Sequence, residues 1–112
     1  MARAEVVGPL VELLYFDGCP GYEDLRPHLE HLLDERGGVE QLTVVPINSP
    51  EEAAAHRFLG SPSVRVDGRD VEPAAATRSD YGIKCRIYQT ADGLVRTPPS
   101  ELLVAALDHK SG

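Results

Sequence analysis

Cys19 and Cys85 are the chain's two cysteines, and Cys19 sits where a thiol can be made reactive. The residues before it, Val11-Glu12-Leu13-Leu14-Tyr15-Phe16, form a short apolar run of the kind a sheet buries. Asp17-Gly18 ends the run, since glycine permits the backbone angles of a tight turn. Pro20 then suits the first position of a helix, where no N–H is missed. Cys19 would therefore lie at a helix N-terminus, where unpaired N–H groups and the helix dipole favour thiolate over thiol. The expected titration is below the ordinary value of about 8.5. Glu23 and Asp24 oppose the effect, so the expected shift is modest. The competing reading is that Cys19 is a small buried apolar side chain, as most free cysteines are.

The elements needed to position that thiol follow from periodicity. A helix is expected from Pro20 to about Arg36, with Leu25, Leu29, Leu32 and Leu33 on one face, a kink at Pro27 and a stop at Gly37-Gly38. His28 and His31 lie near its apolar stripe without partners at ligand spacing, so they read as solvated histidines and no metal site is expected. Gln41–Ile47 reads as a second strand, fraying at Pro46. Ser49-Pro50-Glu51-Glu52 is a capping box opening a helix over Pro50–Leu59, closed by Gly60. This order predicts parallel strands joined by a right-handed crossover. Pro62 directly precedes a strand at Ser63–Val66, where a cis Ser61–Pro62 bond would make a sharp entry. Asp67-Gly68 is a hairpin turn into a return strand at Arg69–Glu72.

Pro73–Lys84 breaks the pattern and reads as a helical turn plus a loop, long enough to serve as a lid. Cys85–Gln89 is expected to be a strand with Cys85 and Ile87 on one face and Arg86 and Tyr88 on the other. Asp92-Gly93 is a turn, and Pro98-Pro99-Ser100-Glu101 opens a last helix with Leu103, Ala106 and Leu107 on its apolar face.

Composition narrows the function. A chain of 112 residues is expected to form one domain. With 18 acidic against 11 basic side chains, a net charge of −7 would repel a nucleic-acid backbone, and no basic run offsets it. No run of about 18 apolar residues is present, so no membrane span is expected. No secretion signal is visible, and the cytoplasm is the expected compartment. The ends, 1–8 and 110–112, are expected to fray. Two cysteines this far apart match neither a secreted disulfide framework nor a zinc ribbon. Oligomeric state is not encoded in any pattern here.

The set of landmarks resembles a thioredoxin-like protein. These are the strand–turn–Cys19-Pro20–helix, the kinking Pro27 and Ser61-Pro62-Ser63-Val64 before a strand, over residues 10–108. The resemblance implies a single-domain α/β fold, a mixed central sheet flanked by helices, with an extra loop and strand over 73–89. More narrowly, Phe16-Asp17-Gly18-Cys19-Pro20, Phe58-Leu59-Gly60-Ser61-Pro62, Val66-Asp67-Gly68-Arg69-Asp70-Val71 and Asp80-Tyr81-Gly82-Ile83-Lys84-Cys85-Arg86 resemble small bacterial thioredoxin-like proteins often labelled alkylmercury lyase-like. Thioredoxins carry a second cysteine three residues after the first; here that position is Tyr22. Exchange within the motif is thus impossible. Either Cys19 acts alone, or Cys85 resolves its mixed disulfide, or the site only binds.

The candidate site is then Cys19 as nucleophile, Cys85 as the candidate second catalytic thiol, and Pro20, Tyr22, Ser61, Pro62, Asp80 and Tyr81 around the substrate. No nicotinamide or flavin fingerprint occurs, so no cofactor is expected. The first functional expectation is thiol–disulfide or related soft-electrophile chemistry on a small-molecule or protein substrate. The second is soft-metal or organomercurial handling by the two thiols, which needs a proton donor such as Asp80, Tyr22 or Tyr81. The third is a binding module, or a dedicated biosynthetic-pathway enzyme, on the same scaffold. For Cys85, a second catalytic thiol competes with a packed core side chain, since it shares a face with Ile87.

Overall fold

Val11, Leu13 and Leu14 are too apolar to leave in water and belong to the strand β1 (Val11–Tyr15), which occupies the interior of a four-stranded sheet. The computed structural model describes residues 10–36, 38 and 41–108. The fraying expected of 1–8 and 110–112, and the part of Gly37 in stopping the first helix, lie outside the described residues. β1 pairs in parallel with β2 (Leu42–Pro46), Val11 opposite Leu42 and Tyr15 opposite Pro46. On its other side it pairs antiparallel with β3 (Ser63–Val66), Leu13 opposite Val64. Asp67 and Gly68, at φ 53° and 84°, turn the chain into the edge strand β4 (Arg69–Asp70). The strand order is β2-β1-β3-β4, a mixed sheet of the kind expected, with β1 and β2 parallel and the Asp67-Gly68 hairpin in place as predicted.

Alternation along β1 sends its side chains to two layers. Val11 and Leu13, with Val64 and Val66, pack on the leucines of α1 (Pro20–Glu35) and on Leu103 and Leu107 of α3 (Ser100–Asp108). Leu14 faces the opposite way, against Ile47, Phe58 and Ala53 of α2 (Pro50–Ala55). Pro27 lies inside α1, and Gly38 N–H donates to Leu33 O at 2.9 Å where the chain leaves it. Among the described residues no helix is long and apolar enough to cross a membrane.

Four elements differ from expectation. α2 stops at Ala55 rather than Leu59, because Arg57 adopts the left-handed conformation at φ 54° and turns Phe58 and Leu59 into the interior. The Arg65 guanidinium satisfies the helix-end carbonyls of His56 and Arg57. β4 is two residues long, not four: Asp70 Oδ1 accepts the Glu72 N–H at 2.8 Å, and Pro73, which has no N–H to give, starts a 3₁₀ turn over Pro73–Thr77. Cys85–Gln89 is not one strand. β5 (Tyr88–Thr90) forms a separate hairpin with β6 (Gly93–Val95), while Cys85 makes a single parallel bridge to Ser61. α3 begins at Ser100, two residues beyond Pro98, with Pro99 O accepting from Leu102 and Leu103.

Leu13 is fully buried between both neighbouring strands and α1. Leu13→Ala is expected to destabilise the fold by about 2–5 kcal/mol. Urea unfolding should show the midpoint falling with the slope unchanged; a loss under 1 kcal/mol would contradict this central place for β1.

Candidate functional site

Cys19 is the N-cap of α1, at φ −82° and ψ 115°, and its side chain makes no capping hydrogen bond. It is 2% exposed, so its thiol is packed into the protein. The next turn is tightly walled. A Cβ on Gly21 would lie 2.9 Å from Arg96 O and 3.0 Å from Pro62 Cδ, so glycine lets the Arg96 carbonyl and the Pro62 ring approach the helix start this closely. Ser61–Pro62 is cis, as expected, and the loop it forms is thus one wall of the Cys19 turn.

That loop is held from behind by the segment carrying Cys85. Ser61 N–H donates to Lys84 O at 2.8 Å and Arg86 N–H donates to Ser61 O at 2.9 Å, so Cys85 lies between two bonds to one residue. Tyr88 Oη donates to Pro62 O at 2.6 Å, and Ser63 Oγ to Gly60 O at 2.6 Å. Cys85 is exposed, and neither cysteine is in a disulfide. Its alternation with Arg86, Ile87 and Tyr88 is as expected, but the buried face is the one that looked polar. Arg86 and Tyr88 are buried, whereas Ile87 is 48% exposed, so Cys85 is not the core side chain of the competing reading.

Arg86 explains the inversion, and its role was missed from sequence. Its side chain is 1% exposed. One terminal nitrogen donates to Ser63 Oγ at 2.9 Å and Asp70 Oδ2 at 2.6 Å; the other donates to Asp70 Oδ1 at 2.8 Å and Glu72 Oε1 at 3.0 Å. The guanidinium also stands 4.6 Å from the Tyr88 ring centroid. Burial would push the charge off, but the two carboxylates outweigh it and hold Arg86 above its already high ordinary range. The one trace in the chain is the acidic pair Asp70 and Glu72 after the hairpin turn, which does not name its partner. Arg86 Nε and Ser61 Oγ are buried without a hydrogen-bond partner among the described residues.

The remaining predicted site residues do not all gather here. Pro20 is exposed at the start of α1. Tyr22 stacks on Tyr15, with ring centroids 3.8 Å apart and planes 9° from parallel, and its hydroxyl accepts from Arg26 at 2.7 Å. Asp80 is clasped by Arg78 at 2.6 Å and by Lys84 at 2.9 Å. The bonds from Arg78, then Lys84, hold its carboxyl well below the usual range, which argues against Asp80 as a proton donor near neutral pH. Tyr81 is on the surface beside it and borders a cavity lined by arginines. His28 meets Ser100 Oγ at 2.8 Å and His31 pairs with Glu35 at 3.4 Å. Among the described residues no three His, Cys, Asp or Glu side chains are grouped to hold a metal ion. Comparison with protein-family models, with curated proteins and with solved structures returned no match.

Tyr88 ties the proline loop to the Arg86 network, and burial, the dominant cause, raises its pKa well above the ordinary tyrosine value. Its folded value exceeds its unfolded value, so its contribution is complete below about pH 10 and is lost as pH rises beyond it. Tyr88→Phe should cost about 1 kcal/mol at neutral pH through the lost hydrogen bond. Stability measured by denaturant against pH should fall more steeply above pH ~10 in the wild type than in Tyr88→Phe. Parallel alkaline limbs would contradict the buried phenol.

Proposed function

We propose that this chain is a thioredoxin-like thiol protein in which Cys19 is the nucleophile and Cys85 the second thiol. The observation that carries the reading is that both cysteines border one loop. Pro62 walls the helix turn that Cys19 opens, and Ser61 is bonded on both sides of Cys85. The cis bond before β3 and the order β2-β1-β3-β4 support the same scaffold. Cys19 takes the attacking role because its helix start offers unpaired N–H groups to a thiolate.

The reaction is two-electron thiol–disulfide exchange. The Cys19 thiolate attacks one sulfur of a substrate disulfide, forming a mixed disulfide and expelling the other sulfur as thiolate. The Cys85 thiolate then attacks Sγ of Cys19, forming the Cys19–Cys85 disulfide and releasing the second substrate thiolate. The substrate is reduced to two thiols as the protein is oxidised, and an external thiol, such as the reducing cytoplasm supplies, resets it. Burial of Cys19, at the start of a helix turn walled by Pro62 and Arg96, favours a small disulfide or small soft electrophile over one inside a folded protein. Organomercurial cleavage is the weaker reading, because Asp80, the carboxyl candidate for proton donor, is held ionised.

The test is one equivalent of a small aromatic disulfide added to reduced wild type, Cys19→Ser and Cys85→Ser. Wild type alone should consume the reagent with two thiols lost, releasing both aromatic thiols and giving a reducible, fast-migrating monomer. Cys19→Ser should react at a rate set by Cys85 alone and stop at a mixed disulfide. A wild type that yields only an intermolecular dimer, or retains a mixed disulfide, would reject the two-thiol mechanism.

A further inference from the structure

The chain carries a net charge of −7, yet one of its cavities is cationic. This cavity, about 430 Å³, lies among the end of α2, the β3–β4 hairpin and the 3₁₀ turn, and Arg57, Arg65, Arg69 and Arg78 all line it. Its only lining carboxylates are Asp70 and Glu72. Both are committed to Arg86 behind the wall, Asp70 through both of its oxygens. Four lining arginines and Arg86 against these two carboxylates leave a local excess of three positive charges.

The arginines divide by what they already hold. Arg65 spends one terminal nitrogen on the carbonyls of His56 and Arg57, and Arg78 is paired with Asp80. Arg57 and Arg69 are exposed and make no ion pair among the described residues. Arg57 sits there at φ 54°, a conformation costly for a long side chain, and strain of that kind collects at sites that use it. A guanidinium presents a planar fork matched to carboxylate or phosphate oxygens. Leu59, Ala75 and the Tyr81 ring supply apolar surface beside the charges. The volume falls in the range of small-ligand sites, about 300–1,000 Å³.

We propose that this cavity binds a small organic anion, its phosphate or carboxylate held between Arg57 and Arg69 and its apolar or aromatic part against Leu59 and Tyr81. The site is separate in composition from the two cysteines and does not depend on their chemistry. Tyr81 connects it to the Cys85 segment, since Gly82 N–H donates to Phe58 O one residue before Leu59.

Isothermal titration calorimetry of the full chain with phenyl phosphate and with benzoate tests the proposal, with phenol and inorganic phosphate as controls. One or both aromatic anions should bind saturably at one site, and the tighter of the two identifies the head group. Phenol should not bind, and inorganic phosphate should bind at least tenfold more weakly than phenyl phosphate. The double variant Arg57→Asn/Arg69→Ala should bind at least tenfold more weakly; asparagine tolerates the left-handed backbone at position 57. Should that variant lose its circular dichroism spectrum, amide chemical shifts of the wild type titrated with the same anions give the answer. Shifts centred on 57–59, 65, 69 and 78–81 support the site. No saturable binding of either anion, shifts centred elsewhere, or equal binding by a folded double variant would overturn it.

Discussion

Arg86 is a full positive charge in the interior of a small protein, and the geometry of the site depends on its being neutralised. Moving such an ion out of water costs several kcal/mol unless its donors are met. Here a bidentate Asp70, a second carboxylate from Glu72 and the Ser63 hydroxyl meet them, and the Tyr88 ring lies near the cation. The four partners come from β3, from β4, from the turn after it and from β5. One side chain thus ties the sheet edge to the segment that carries Cys85. Without it, 78–88 would keep its backbone bonds to Phe58 and Ser61 and the buried Tyr88, but lose its tie to the sheet edge.

The consequence reaches the helix start through the backbone. Arg86 and Tyr88 fix where Ser61 and Pro62 lie, by a main-chain bond in one case and a phenol in the other. Pro62 in turn limits what fits at Gly21, two residues after Cys19. A buried ion pair at one edge of the sheet and the packing around a thiol at a strand end are thus parts of one arrangement. Buried polar groups that specify one geometry commonly cost stability that an apolar replacement would recover.

Much of the fold was legible because it is local. The apolar run at 11–16, the capping box at Ser49 and the Asp67-Gly68 turn each specify their element within a few residues, and β1, α2's start and the β3–β4 hairpin stand where those signals put them. The end of α2 was not legible: Gly60 was the visible stop, but Arg57 ends the helix earlier because burying Phe58 and Leu59 outweighs the cost of its backbone. For the candidate site, Cys19, Pro62 and the alternation at 85–88 could be read, but not which face of that alternation was buried. Ile87 out and Arg86 in contradicts hydrophobic patterning, and only partners 14 and 16 positions away make it favourable. Charge pairing at such separations leaves no periodic trace in the chain. Tyr22 and Asp80 follow from motif position alone, and each is engaged with near neighbours two to seven residues away.

The contrast between a thiol at 2% exposure and one at the surface has a use apart from any reaction. Cys85 is open to an alkylating reagent in the closed protein. Cys19, packed away from solvent, meets the reagent only when the protein opens around the start of α1. The ratio of the two labelling rates is then a built-in gauge of local opening, with its reference carried in the same molecule. Because Pro62 walls the helix turn that Cys19 opens and Ser61 is bonded on both sides of Cys85, that gauge reads the breathing of the helix start against this loop.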